Sequence, residues 1–104
     1  LAIAPRAGGA IYCATKAGLR SYTQAIRYLL KDSRVRVIEA VPPVVATNLT
    51  AGRGGRKMSA YDCAAEIVHG IRTNKREVNV GMVKLLQFVH SISPALARRI
   101  MLRF

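Results

Sequence analysis

Tyr12 and Lys16 stand four residues apart, a spacing that on a helix puts both side chains on one face. A free phenol holds its proton up to about pH 10, too high for ready exchange near neutrality. A cation beside it favours the phenolate. A tyrosine so placed can act as general acid or base toward an alcohol or a carbonyl. The same spacing also describes an ordinary surface Tyr/Lys pair, so these two residues alone leave both readings open.

The pair needs a helix, and its surroundings predict one. Residues 1–10 contain Pro5, Gly8 and Gly9 and read as a loop. A helix is expected over 11–31, because Leu19, Tyr22, Ile26, Leu29 and Leu30 recur at three and four. Ala14, Ala17, Gly18, Ser21 and Ala25 form a second, small-residue stripe, while Lys16, Arg20, Gln24, Arg27 and Lys31 form a polar one. Two contact-ready faces suggest a helix packed on a sheet on one side and on a partner on the other. Residues 34–41, rich in Val and Ile and closed by Pro42-Pro43, read as a strand buried on both faces. Residues 42–58 read as a long exposed loop. A helix is expected over 59–73, opened by a Ser59 cap with Asp62 in its first turn. Residues 76–81 alternate like a short strand, and 82–104 read as helical, with Ser93-Pro94 opening the last helix. The order helix–strand–helix–strand–helix is that of an α/β layer protein. Two strands are too few for the sheet that such a fold uses.

Charge excludes less than its size suggests. The chain has 104 residues with 17 Lys or Arg and 5 Asp or Glu, hence 17 − 5 = +12. The excess is split among residues 1–31, the run Arg53, Arg56 and Lys57, and residues 82–104. It forms no continuous basic block, and no zinc-finger spacing or aromatic RNA-binding motif accompanies it, so no specific nucleic-acid partner is expected. A basic surface can still bind polyanions without specificity. Cys13 and Cys63 lie far apart with no Cys/His cluster, so no metal is expected and reduced thiols in a cytoplasmic protein are the simpler reading. No apolar run is long enough to span a membrane, and the first twenty residues lack the order of a signal peptide. The basic face of the last helix allows contact with a membrane surface, a subunit contact or a lid. Asn48-Leu49-Thr50 matches a glycosylation acceptor by chance. His69, near the end of a helix, reads as a solvent-facing or capping residue, and His90, with no carboxylate or Cys neighbour, reads as structural.

Taken whole, Tyr12-Cys13-Ala14-Thr15-Lys16-Ala17 and the small-residue helix after it resemble the active-site helix of the short-chain dehydrogenase/reductase family. Val35–Val41 resembles the next strand of that family, and Pro42-Pro43-Val44-Val45-Ala46-Thr47 resembles the family's Pro-Gly-x-[Val/Ile]-x-Thr, with Pro43 where Gly is usual. The resemblance covers at least residues 1–81. It implies an α/β fold: the C-terminal part of a Rossmann-type doubly wound parallel sheet with flanking helices. No Ser precedes Tyr12, and Leu1–Pro5 resembles the segment just after the family's catalytic Ser. The chain is therefore expected to begin just after that Ser, to lack the glycine-rich cofactor loop, and to be inactive alone.

The resemblance further implies an NAD- or NADP-dependent oxidoreductase moving a hydride between the nicotinamide and a small-molecule alcohol or carbonyl. Tyr12 would be the general acid/base and Lys16 its electrostatic helper, also bonding the nicotinamide ribose. Pro42 would shape the wall beside the ring, Val45 would offer backbone groups to the carboxamide, and Thr47 would touch the cofactor. The loop after Thr47 would be the substrate loop; its Arg53, Arg56 and Lys57 could meet an anionic cofactor or substrate, or equally form a solvated loop. The helix over 11–31 would be the surface of a homo-oligomer. Two other readings use the same residues: a non-enzymatic dimerisation module, and a basic binder of membrane surfaces or nucleic acid.

Overall fold

The computed structural model describes residues 2–103. A 3-10 turn at Ala7–Gly9 leads into α1 (Ala10–Leu29), then β1 (Glu39–Val41), a second 3-10 turn (Asn48–Thr50), α2 (Ala60–Arg72), β2 (Glu77–Asn79), α3 (Val83–Ile92) and α4 (Pro94–Leu102). β1 and β2 pair in parallel, with Glu39 opposite Glu77, Ala40 opposite Val78 and Val41 opposite Asn79. A parallel pair needs a crossover, and α2 supplies it. The architecture is α/β, a parallel two-stranded sheet with flanking helices, as in part of a Rossmann fold.

The chain divides into two compact units, Ile38–Lys84 and a second made of the described residues up to Val37 and from Leu85 onward. The first is a βαβ unit with its own core. Cys63, Val78 and Val80 are buried together, with Ile38, Val45, Met58 and Ile67 packed against them. Gly70 makes this packing possible: a Cβ there would overlap the γ-carbons of Val78. Ser59 caps α2 by accepting a hydrogen bond from the Asp62 amide at 3.0 Å, which satisfies one of the helix's orphan donors. β2 ends where Gly81 adopts φ +59°, a conformation that suits glycine. Pro43 and Met58 pack beside that turn.

In the second unit Ala4, Cys13 and Ala97 are buried. The Arg6 amide donates to the Cys13 sulfur at 3.3 Å, so this thiol is a packed group. Ser93 caps α4 through the Leu96 amide at 3.3 Å, and Pro94 takes the first helical position, where no N–H is needed.

Several expected boundaries move. The loop over 1–10 contains the 3-10 turn and the first residue of α1. The strand expected over 34–41 is short. Only Glu39–Val41 pair with β2, Val35 is exposed, and the Val37 carbonyl accepts from Arg27 Nε at 3.1 Å instead of joining a ladder. It is not buried on both faces: Val41 is buried, whereas Ala40, whose side chain points to the opposite face, is exposed. The segment 82–104 divides into two helices at Ser93. On α1, Leu19, Tyr22 and Leu29 are exposed, so its apolar stripe is a surface feature.

Candidate active site

Tyr12 lies in the first turn of α1 and Lys16 one turn on. Helical geometry brings them together: the Lys16 ammonium sits over the Tyr12 ring, 5.4 Å from its centroid. That is within the range in which a cation is held by an aromatic face. The Thr15 hydroxyl donates to the Tyr12 carbonyl at 2.8 Å, so the residue between the pair is tied back onto the helix and its side chain is spent locally. Tyr12 is 51% exposed.

Pro42, Val45 and Thr47 lie in the other unit, on the segment that leaves β1. Val45 forms a parallel bridge with Met58. The bonds of that bridge come from the neighbours of Val45: Ala46 N–H donates to the Met58 carbonyl at 2.8 Å, and Met58 N–H donates to the Val44 carbonyl at 3.0 Å. In a parallel ladder this turns Val45's own N–H and C=O to the opposite edge. The bridge also closes residues 46–57 into a loop with a fixed base. Pro42 is exposed at the end of β1, and Pro43 is half-buried.

Thr47 caps the 3-10 turn Asn48–Thr50 in a reciprocal box with Thr50. The Thr47 amide donates to Thr50 Oγ1 at 3.0 Å, and the Thr50 hydroxyl reaches the carbonyls of Val45 and Thr47. Lys57 Nζ donates to the Thr50 carbonyl at 2.6 Å. Thr50, Lys57 and Met58 therefore hold the backbone that presents Val45 and Thr47, and sequence reasoning gave none of them this role. The signal was present in Thr47-x-x-Thr50, the spacing of a side-chain capping box.

His69 is exposed in the last turn of α2, and His90 is half-buried in the last turn of α3. No cluster suited to a metal ion occurs among the described residues. Burial, and then the nearby Glu66 carboxylate, push the Cys63 thiol up from its ordinary value, so it is held as an inert core thiol. A cavity of about 430 Å³ is lined by Glu66, His69, Lys75, Glu77 and Asn79 among others, and includes none of Pro42, Val45 or Thr47. Glu66 and Lys84, both in its lining, form an ion pair at 3.1 Å.

Residues 1–57, which hold both groups of candidates, match the family model for short chain dehydrogenases. The chain belongs to the short chain dehydrogenase family. Two curated relatives agree. A Bacillus subtilis protein named uncharacterized oxidoreductase DltE is 36% identical over 84 residues, covering 75% of this chain and 33% of that protein. A Schizosaccharomyces pombe NADP-dependent 3-hydroxy acid dehydrogenase is 39% identical over 46 residues, covering 44% of this chain and 18% of that protein. This short chain dehydrogenase sequence thus spans about a third or less of the length of these relatives. No solved structure matches it significantly. Among the described residues no helix is long and apolar enough to cross a membrane.

Proposed function

We propose that these residues serve an NAD- or NADP-dependent oxidoreductase acting on an alcohol or carbonyl, with Tyr12 as the group that moves the proton. The observation that carries this reading is the Lys16 ammonium over the Tyr12 ring at 5.4 Å, inside the stretch that matches the family. That places the ammonium one helical turn from the phenol, on the same face of α1. Tyr12 then gives its proton to a carbonyl oxygen during reduction, and takes one from an alcohol during oxidation.

A nicotinamide cofactor, when bound, supplies or accepts the hydride. The residues present fit one end of such a group. Val45 turns an amide N–H away from its bridge, a donor for the carboxamide oxygen, and its carbonyl, which accepts from the Thr50 hydroxyl, keeps its second lone pair for the carboxamide N–H. Thr47 and Pro42 flank it on the same segment. The name of the fission-yeast relative, an NADP-dependent dehydrogenase of hydroxy acids, supports a nicotinamide cofactor. In this proposal residues 11–31 are the active-site helix, 42–58 the cofactor and substrate loop, and the exposed face of α1 a contact between copies. The 104 residues alone leave Tyr12 half exposed to water, and we expect them alone to be inactive.

The test is a panel of alcohols and carbonyls assayed with NAD and with NADP, with the absorbance of the reduced nicotinamide as readout, in the protein that carries these residues. Turnover with either cofactor supports the reading. Absence of turnover with both, from protein shown to be folded, contradicts it.

A further inference from the structure

Thr50 gathers the tip of the 46–57 loop onto one atom. Its carbonyl accepts from the Arg53 amide at 3.2 Å and from Lys57 Nζ at 2.6 Å. Residues 53–57 are therefore tied at both ends to a single oxygen. Each arginine in that segment follows a glycine of positive φ, Gly52 at +77° and Gly55 at +95°, the backbone of tight turns. Thr50 is bonded in its turn to Thr47. The Thr50 amide donates to the Thr47 carbonyl, and the Thr47 amide to Thr50 Oγ1, each at 3.0 Å. Arg53 and Arg56 are thus anchored, through two successive ties, to a residue proposed to touch the cofactor. All of these bonds lie inside the unit Ile38–Lys84.

Residues 40–61 hold Arg53, Arg56 and Lys57 and no acidic residue. Lys57 is engaged by the Thr50 carbonyl, whereas neither guanidinium is held by another side chain among the described residues. α1 is free of acid too, but its Arg27 is spent on the Val37 carbonyl and its basic residues are spread along the helix. In the loop two arginines share one tethered segment.

We propose that Arg53 and Arg56 bind a carboxylate of the substrate, so that the alcohols and carbonyls this protein takes are hydroxy acids and oxo acids. The planar fork of a guanidinium matches a carboxylate with two parallel hydrogen bonds. A loop with a fixed base and a tethered tip has less freedom left to lose on binding. That the anion belongs to the substrate rests on the oxidoreductase reading. There Val45 meets the carboxamide, an uncharged end of the cofactor, and the substrate lies against that end. The rival anion is the diphosphate of the cofactor.

Calorimetric titration reads binding without turnover. In the protein that carries these residues, with NAD or NADP present, a series of oxo acids differing in the distance from carbonyl to carboxylate is compared with the matching methyl esters. The best acid should bind about tenfold or more tighter than its ester, the usual worth of hydrogen bonds to a charged group. Arg53→Ala with Arg56→Ala should remove that preference and leave the affinity for the ester where it was. Arg98→Ala with Arg99→Ala removes the same charge from α4 and should keep the preference. Urea unfolding checks that each variant is folded. Equal affinity for acids and esters, or no binding of any acid, would overturn the proposal. So would equal losses from the two double variants, because net charge alone would then account for binding. A loop variant that weakens the cofactor and spares the acid would overturn it as well, and would assign the arginines to the diphosphate. The two readings fail apart. Turnover of esters as readily as acids sinks this inference alone. Acid binding that is lost with Arg53 and Arg56, in a protein that turns over nothing, sinks the oxidoreductase reading and leaves the carboxylate site standing.

Discussion

α1 and α2 are both amphipathic helices of one chain, and they are held in different ways. α2 lies on β2 with Gly70 against Val78, and it contributes Cys63 and Ile67 to a core closed by Val80. α1 buries only Cys13 and leaves Leu19, Tyr22 and Leu29 at the surface. α2 is capped by a serine side chain, whereas α1 starts at Gly9 with no side-chain cap. The helix that carries the candidate reactive pair is thus the less tightly packed one. What it must preserve is a local relation, one turn between a phenol and an ammonium, and helical geometry alone maintains that. What α2 must preserve is a tertiary fit. Substitutions in α2 should be read mainly in stability, and substitutions at the pair in α1 mainly in rate.

The sharpest break of this comparison is Gly70→Ala. Its Cβ has no room against Val78, and overpacking of this kind costs about 1–3 kcal/mol. Urea unfolding should show a lower midpoint, and an unchanged midpoint would mean that α2 is not seated as described. Next comes Thr50→Val, which removes the hydroxyl joining Val45, Thr47 and the 3-10 turn. The expected loss is about 1 kcal/mol for a hydrogen-bonded side chain, accompanied by weaker binding of a nicotinamide cofactor in a titration. The smallest effect has the opposite sign. A Cβ on Gly18 of α1 meets nothing within 4 Å, and replacing a glycine by alanine inside a helix stabilises it by about 0.5–1 kcal/mol. Gly18→Ala should therefore raise the unfolding midpoint, although the chemical change is the same as at Gly70. Two shifts of the same sign would collapse the distinction between the helices.

Much of this was legible from local signals. The Ser59 cap, the Pro94 start of α4 and the one-turn Tyr12/Lys16 pairing each depend on residues within a few positions, and the structure shows each of them. The family resemblance rested on Tyr12–Ala17 and on Pro42–Thr47, and the family match covers both. Tertiary pairing was harder to read. Val35, Val37 and Ile38 are β-branched and suggest a strand, but a strand exists only where a neighbour bonds it, and β2 reaches no further than Glu39. The close approach of Gly70 to Val78 was likewise invisible, because a glycine in a helix carries no mark of what faces it. The base of the 46–57 loop was missed because a single bridge between Val45 and Met58 leaves no periodicity in the residues that make it.

The central claim is that Tyr12 moves the proton, and replacing Tyr12 by Phe tests it most directly. The variant keeps the ring under Lys16 and removes the hydroxyl alone. In the protein that carries these residues, carbonyl reduction should slow by a factor of about 10²–10⁴, the usual contribution of a positioned acid or base, while the urea midpoint stays where it was. A rate within a few-fold of the parent, from protein that unfolds as the parent does, would contradict the account.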